Sequence, residues 1–163
     1  MSLLALVSWI TTAGGGLYLL SIWLIEYDKD FHAVAATRLP PPLLASHVLL
    51  AGGGLFVWAY YLFFDTDEAA WLALAVLGVA ASLGLTMAIR WIGVYRAHRV
   101  NSAAKVAHLA VVARSGGVAV LERPTPDGPP ERNFPLLVVL AHGAFALITI
   151  TLVLLTALGV GGS

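Results

Sequence analysis

The chain has 163 residues, room for one domain, and 60% of them are apolar against 11% charged. Soluble domains carry about a quarter charged residues, so the solvent for most of this chain is lipid. A net formal charge of zero argues against nucleic acid as a partner; the absence of cysteine excludes disulfides, iron–sulfur clusters, thioether-linked haem and cysteine catalysis.

The first apolar run, Leu3 to Ile25, lacks a basic leading region and a small-residue cleavage site followed by a polar chain, and reads as a membrane span rather than a cleaved signal. The connection Glu26 to Pro42 groups Glu26, Asp28, Asp30 and His32, which is better read as a solvated polar boundary than as a metal site. A second span runs from Leu43 to Phe64 and contains His47 and the run Ala51–Gly52–Gly53–Gly54. A short acidic link, Asp65–Thr66–Asp67–Glu68, leads to a third span, Ala70 to Tyr95. In the segment 96–133, Asn101–Ser102 would cap a helix reaching Gly116–Gly117; that helix either extends span three or lies along the membrane surface. His98 and His108 are ten residues apart in this segment, roughly 80° from eclipsed on a continuous helix, which makes a poor chelating pair. The stretch Pro124 to Pro130 is a turn-rich linker. The fourth span, Phe134 to Val160, contains His142. Each run reaches the ~20 residues a crossing helix needs. Trp9, Trp23, Trp58, Trp71 and Trp91 lie mostly near span ends and suit an interfacial aromatic belt.

The expected architecture is therefore a single all-α membrane domain over residues 1–163, a four-helix up-down-up-down bundle with short links between neighbours. Every Lys and Arg falls on one side: Lys29 and Arg38 in the first connection, Arg90 and Arg96 at the end of span three, and Arg99, Lys105, Arg114, Arg123 and Arg132 beyond it. The positive-inside rule makes that side cytoplasmic and places both termini outside the cell membrane.

Spans one and three align without gaps at an offset of 68, with eight identities in 24 positions: Leu4–Ala5–Leu6 with Leu72–Ala73–Leu74, and Ala13, Gly16, Leu17, Trp23 and Tyr27 with Ala81, Gly84, Leu85, Trp91 and Tyr95. Spans two and four match through Pro42–Leu43–Leu44 and Pro135–Leu136–Leu137, although this pairing needs a gap. The pattern is that of a duplicated two-helix hairpin with a pseudo-twofold axis along the membrane normal.

His47 and His142 are the equivalent pair in that duplication, and intramembrane ionisable residues are functional candidates. Counted from Pro42 and Pro135, they lie about 7 and 10 Å along their helices, a mismatch of about 3 Å. They stand on diagonal helices; adjacent helices, with axes about 8–10 Å apart, leave no room for a metal macrocycle, whereas a diagonal pair does. Gly54, two turns from His47 on the same face, would let a flat ligand or another backbone approach.

The two histidines on this scaffold resemble those of four-helix integral-membrane b-type cytochromes, in which paired histidines from different helices hold a haem. The resemblance implies one haem b near the cytoplasmic side with His47 and His142 as axial ligands to its iron, Arg90 and then Arg38 facing its propionates, and Gly54 beside it. Two-haem members need four intramembrane histidines, so one haem is expected here. The implied function is single-electron transfer, with quinone or a partner complex as the exchange partner. Two other readings stay open: an accessory or assembly subunit of a larger membrane complex, or a homodimer, with the histidines as polar glue; and a small transporter or proton relay. No phosphate loop, catalytic triad or metalloprotease motif is present.

Overall fold

The computed structural model describes residues 1–29, 37–115 and 128–160. Asp30, His32 and Arg123, and most of the Pro124–Pro130 linker, lie outside them. Regular structure among the described residues is helical: α1 (Ser2–Lys29), α2 (Pro41–Phe64), α3 (Asp67–Arg114), a 3₁₀ turn (Pro130–Asn133) and α4 (Leu136–Ala157). All four α-helices are long and apolar enough to cross a membrane, with mean hydropathy between 1.6 and 2.4 in their most apolar stretches.

Proline sets where two of these helices begin. Pro40 and Pro135 occupy the N-cap positions of α2 and α4 with extended backbone, and Pro41 follows as the first helical residue of α2, where its missing N–H is no loss. Asp65 ends α2 in a left-handed conformation (φ 50°), its N–H bonded to Tyr61 O at 2.8 Å. Only Asp65 and Thr66 separate α2 from α3. Asp67 and Glu68, expected in the link, instead form the first turn of α3, where negative charge favours the helix dipole.

The 48 residues of α3 make one unbroken helix about 72 Å long, far more than a bilayer needs. Asn101–Ser102 therefore caps nothing; of the alternatives for that segment, continuation of span three is the one realised. No proline interrupts the sequence from Arg96 to Arg114, so the helical hydrogen bonding continues past the apolar stretch.

In packing, α1 lies against α4 and α2 against α3, with lesser α3–α4 and α1–α2 interfaces; α1 with α3, and α2 with α4, form no such interface. The main core lies toward the acidic end of the bundle, around Ala5, Trp9, Trp58, Ala70, Ala73 and Val153. The tryptophans depart from the belt expectation. Trp9, Trp23, Trp58 and Trp91 are buried, leaving Trp71 as the exposed one. The indole N–H explains part of this: inside the bundle it finds acceptors, Ser2 O for Trp58 (3.3 Å), Thr37 Oγ1 for Trp23 (3.4 Å) and Glu131 O for Trp91 (3.1 Å).

Between α1 and α4 a small polar cluster is buried in the apolar region. The hydroxyls of Ser8 and Thr149 share a hydrogen bond of 2.8 Å, and Ser8 is also within reach of Phe145 O (3.3 Å). Interhelical bonds of this kind contribute modestly in lipid, because the separated helices find other partners. Thr149→Val should cost about 0.6–1 kcal/mol, read as a shifted midpoint in a denaturing-detergent titration; an unchanged midpoint would contradict that role.

Candidate functional site

His47 and His142 each lie seven residues beyond an N-cap proline, Pro40 or Pro135. Both are therefore about 10 Å into their helices, and the mismatch counted from Pro42 disappears. Among Pro40, Pro41 and Pro42 the sequence does not say which is the cap, and Pro42 is two residues too late.

The two rings come together although α2 and α4 share none of the main helix interfaces. Their centroids are 6.3 Å apart and their planes lie at 69°. Each ring is held by the helix beside it. Nδ1 of His47 is 2.8 Å from Ala80 O on α3, and Nδ1 of His142 is 2.9 Å from Thr12 O on α1. A carbonyl only accepts, so Nδ1 carries the proton in both rings and Nε2 is left with its lone pair. Among the described residues, Nε2 of neither ring has a hydrogen-bond partner.

Glycine makes these poses possible. A Cβ at Gly84 would lie 3.0 Å from Cε1 of His47, and one at Gly16 would lie 3.0 Å from Cε1 of His142. Each imidazole thus lies flush against a neighbouring helix at a residue without a side chain.

The two half-sites correspond position by position. Thr12 and Ala80, and Gly16 and Gly84, are both separated by 68. At the same spacing Ala5 and Ala73 are fully buried, and Trp23 and Trp91 are buried, the first stacked on Tyr27 and the second tilted against Tyr95. Along α2 and α4 a constant spacing of 95 pairs Pro40 with Pro135, His47 with His142, Gly54 with Thr149, and Trp58 with Val153; the last four residues are all buried.

Gly54 lies on the acidic-end side of His47. A Cβ there would meet Trp9 Cζ2 at 3.0 Å and Val76 Cγ1 at 3.2 Å, so the close neighbours seated at Gly54 are Trp9 and Val76. Arg90 is six residues beyond Gly84, about 9 Å further along α3 toward the basic end; it is exposed and donates through Nη1 to Arg38 O at 3.1 Å. His98 and His108 lie on the extension of α3, and no group of three or more metal-ligating side chains occurs among the described residues.

Thr12 and Ala80 are the site residues that sequence reasoning does not assign. The Gly16–Gly84 identity is visible in the repeat, but only packing shows that a histidine ring rests there. No protein-family model, curated protein or solved structure matches the chain.

Each imidazole offers one ring nitrogen that could serve as a metal ligand. With a metal–nitrogen bond of about 2.0 Å and about 1.1 Å more from nitrogen to ring centre, two collinear rings have centroids roughly 6 Å apart. The observed centroid separation of 6.3 Å is of that size. The donor geometry suits this as well: Nδ1–H of each ring donates to a carbonyl, which directs Nε2 to the role of ligand in a neutral imidazole.

Proposed function

We propose that the chain is a small membrane b-type cytochrome, or the haem-binding subunit of a larger complex, in which His47 and His142 are the axial ligands of one haem. The observation that carries this reading is the pair of half-sites: two histidines at one depth, each fixed through Nδ1 by a neighbouring carbonyl, with ring centres 6.3 Å apart. The equivalent spacings of 68 and 95 support a duplicated hairpin, and the two-residue link between α2 and α3 suits antiparallel neighbours in up-down-up-down order. With the basic residues on one side, the histidines lie nearer the cytoplasmic face, and both termini lie outside.

A haem held by His47 and His142 would supply reversible one-electron transfer. The protein's contribution is positional. Ala80 O and Thr12 O select the tautomer and hold the rings, Gly84 and Gly16 admit them, and the apolar helices limit water and so bear on potential. Arg90, with Arg38 next, supplies positive charge toward the propionates. Quinone, or a redox partner in the same membrane, is the exchange partner of matching chemistry.

The interhelical bonds from Nδ1 also support a second reading, in which the histidines only join helices in an accessory subunit, each bond contributing about 1 kcal/mol. Haem content distinguishes the two. Protein purified from cells supplied with haem is expected to contain one haem b per chain by pyridine haemochromogen assay. Two per chain contradicts the single bis-histidine site, and none favours the accessory role.

A further inference from the structure

The apolar stretch of α3 ends near Tyr95, yet the helix runs on unbroken to Arg114, so the segment 96–114 rises about 28 Å further. Every residue from Arg96 to His108 is exposed, and so is Val111. Most helices in proteins draw their stability from a packed face, and this extension has no such cover among the described residues.

Its charge is equally unmatched. The extension carries Arg96, Arg99, Lys105 and Arg114, and no Asp or Glu occurs between Glu68 and Glu122 in the sequence. Among the described residues, Arg96, Lys105 and Arg114 have no hydrogen-bond or ion-pair partner. Arg99 meets only Tyr95, donating through Nη1 to the hydroxyl at 3.4 Å with its guanidinium over the ring. Lys105 and Arg114 lie about 15 and 28 Å beyond Tyr95 along the helix. A headgroup layer is about 5–8 Å deep, so both stand in water.

One face of the extension is apolar. Val100, Ala104, Ala107 and Val111 fall within about 60° of one another at 100° per residue. Val100 and Val111 are 67% and 62% exposed, which leaves this strip open. Arg96 and Arg114 stand at its two ends and Arg99 beside it. The strip suits neither lipid nor nucleic acid. Helices that lie on a bilayer hold to it with Trp, Phe and Leu, but no aromatic residue occurs between Tyr95 and Phe134, and Leu109 is on the opposite side of the helix. The same lack of aromatics leaves no platform on which bases could stack. Small side chains instead let a second helix axis come close.

We infer that the extension of α3 docks an acidic helix of a partner protein. The strip packs on the partner's apolar face, and Arg96, Arg99 and Arg114 pair with carboxylates that flank that face. Lys105, on the far side of the helix, adds attraction at a distance. A second copy of this chain would bring like charges together, so the occupant is a different protein. The inference goes beyond the electron-transfer reading and holds whether or not the histidines carry haem.

The test uses the full chain in phosphatidylcholine nanodiscs. The probe is a fluorescent helical peptide with alanine and leucine on one face and glutamate flanking them, followed by anisotropy. Saturable binding that weakens with salt is expected. A peptide with glutamine in place of glutamate should bind roughly tenfold more weakly, the combined effect of three exposed ion pairs. The double variant Arg99→Glu/Arg114→Glu should lose the glutamate peptide and gain one flanked by lysine. Ala107→Lys adds a cation but fills the strip, so it should weaken binding, whereas tighter binding would show that charge alone attracts the probe and would overturn the seat on the strip. In native membranes, a photo-reactive residue in place of Ala104 should cross-link to a protein segment rich in Asp and Glu, and Arg99→Glu/Arg114→Glu should abolish that product. Equal binding of the glutamate and glutamine peptides, or a cross-linked segment without excess acid, overturns the inference. So does protection of Lys105 from trypsin by phosphatidylglycerol discs alone, which would place the extension on lipid.

Discussion

If His47 and His142 hold a haem as proposed, Gly84→Leu and Gly16→Leu each lower haem retention by roughly 10- to 100-fold, the range expected when groups that support metal ligands are disturbed. The Cβ alone would approach the imidazole Cε1 to 3.0 Å, and the leucine side chain extends further into the ring's place. The ring must then swing away from the carbonyl that fixes it, Ala80 O for His47 or Thr12 O for His142. Alanine at either position should cost less, since a shift of a few tenths of an ångström relieves it. Gly53→Leu is the matched control, because nothing lies within 4 Å of a Cβ there. Haem titration of the three leucine variants in detergent checks the order; Gly84→Leu retaining haem as well as Gly53→Leu would show that the ring pose does not matter.

Glu131→Ala is expected to have the largest effect on stability. Its carboxyl group is the buried acceptor for Arg38 N and Thr37 Oγ1, and an unpaired buried polar group costs about 1–3 kcal/mol. Removing both acceptor oxygens should total about 3 kcal/mol, while Glu131→Gln, which keeps one of them, should lose about half. Reversible unfolding, with limited trypsin digestion at Arg38 as a local probe, measures both. A destabilisation below about 0.5 kcal/mol, ordinary for a surface site, would mean that the segments hold without this anchor.

The contrast between Glu131 and the four spans shows where the sequence is legible. An apolar run of twenty or more residues has few ways to satisfy its backbone in lipid, so the four crossing helices follow from composition, with ends displaced by only a few residues at most termini. The extension of α3 over 96–114 is one of two readings open to the sequence, since a polar amphipathic stretch can continue a helix or lie separately. Glu131 carries no signal: a glutamate in Pro130–Glu131–Arg132–Asn133 reads as solvated until the packing of Thr37, Arg38 and Trp91 around it is seen.

The site is legible in part for the same reason. Histidine is rare enough in apolar runs that His47 and His142 stand out, and the alignment of spans one and three at an offset of 68 pairs Gly16 with Gly84. Facing is what the sequence withholds. Three consecutive prolines hide the true start of α2, and Gly54 shares a face with His47 yet has Trp9 and Val76 as its neighbours, because helix rotation and tilt are settled by packing. The tryptophans turn inward on the same account: the N–H groups of Trp23, Trp58 and Trp91 find acceptors on neighbouring segments.

The measurement that bears most directly on the central claim is the reduced-minus-oxidised visible spectrum of the purified wild-type chain beside His47→Ala and His142→Ala. A bis-histidine site predicts a sharp α-band in wild type that disappears in both single variants, since each histidine supplies one of two axial ligands. A colourless wild-type protein from haem-replete cells, or an α-band unchanged in either variant, would contradict it.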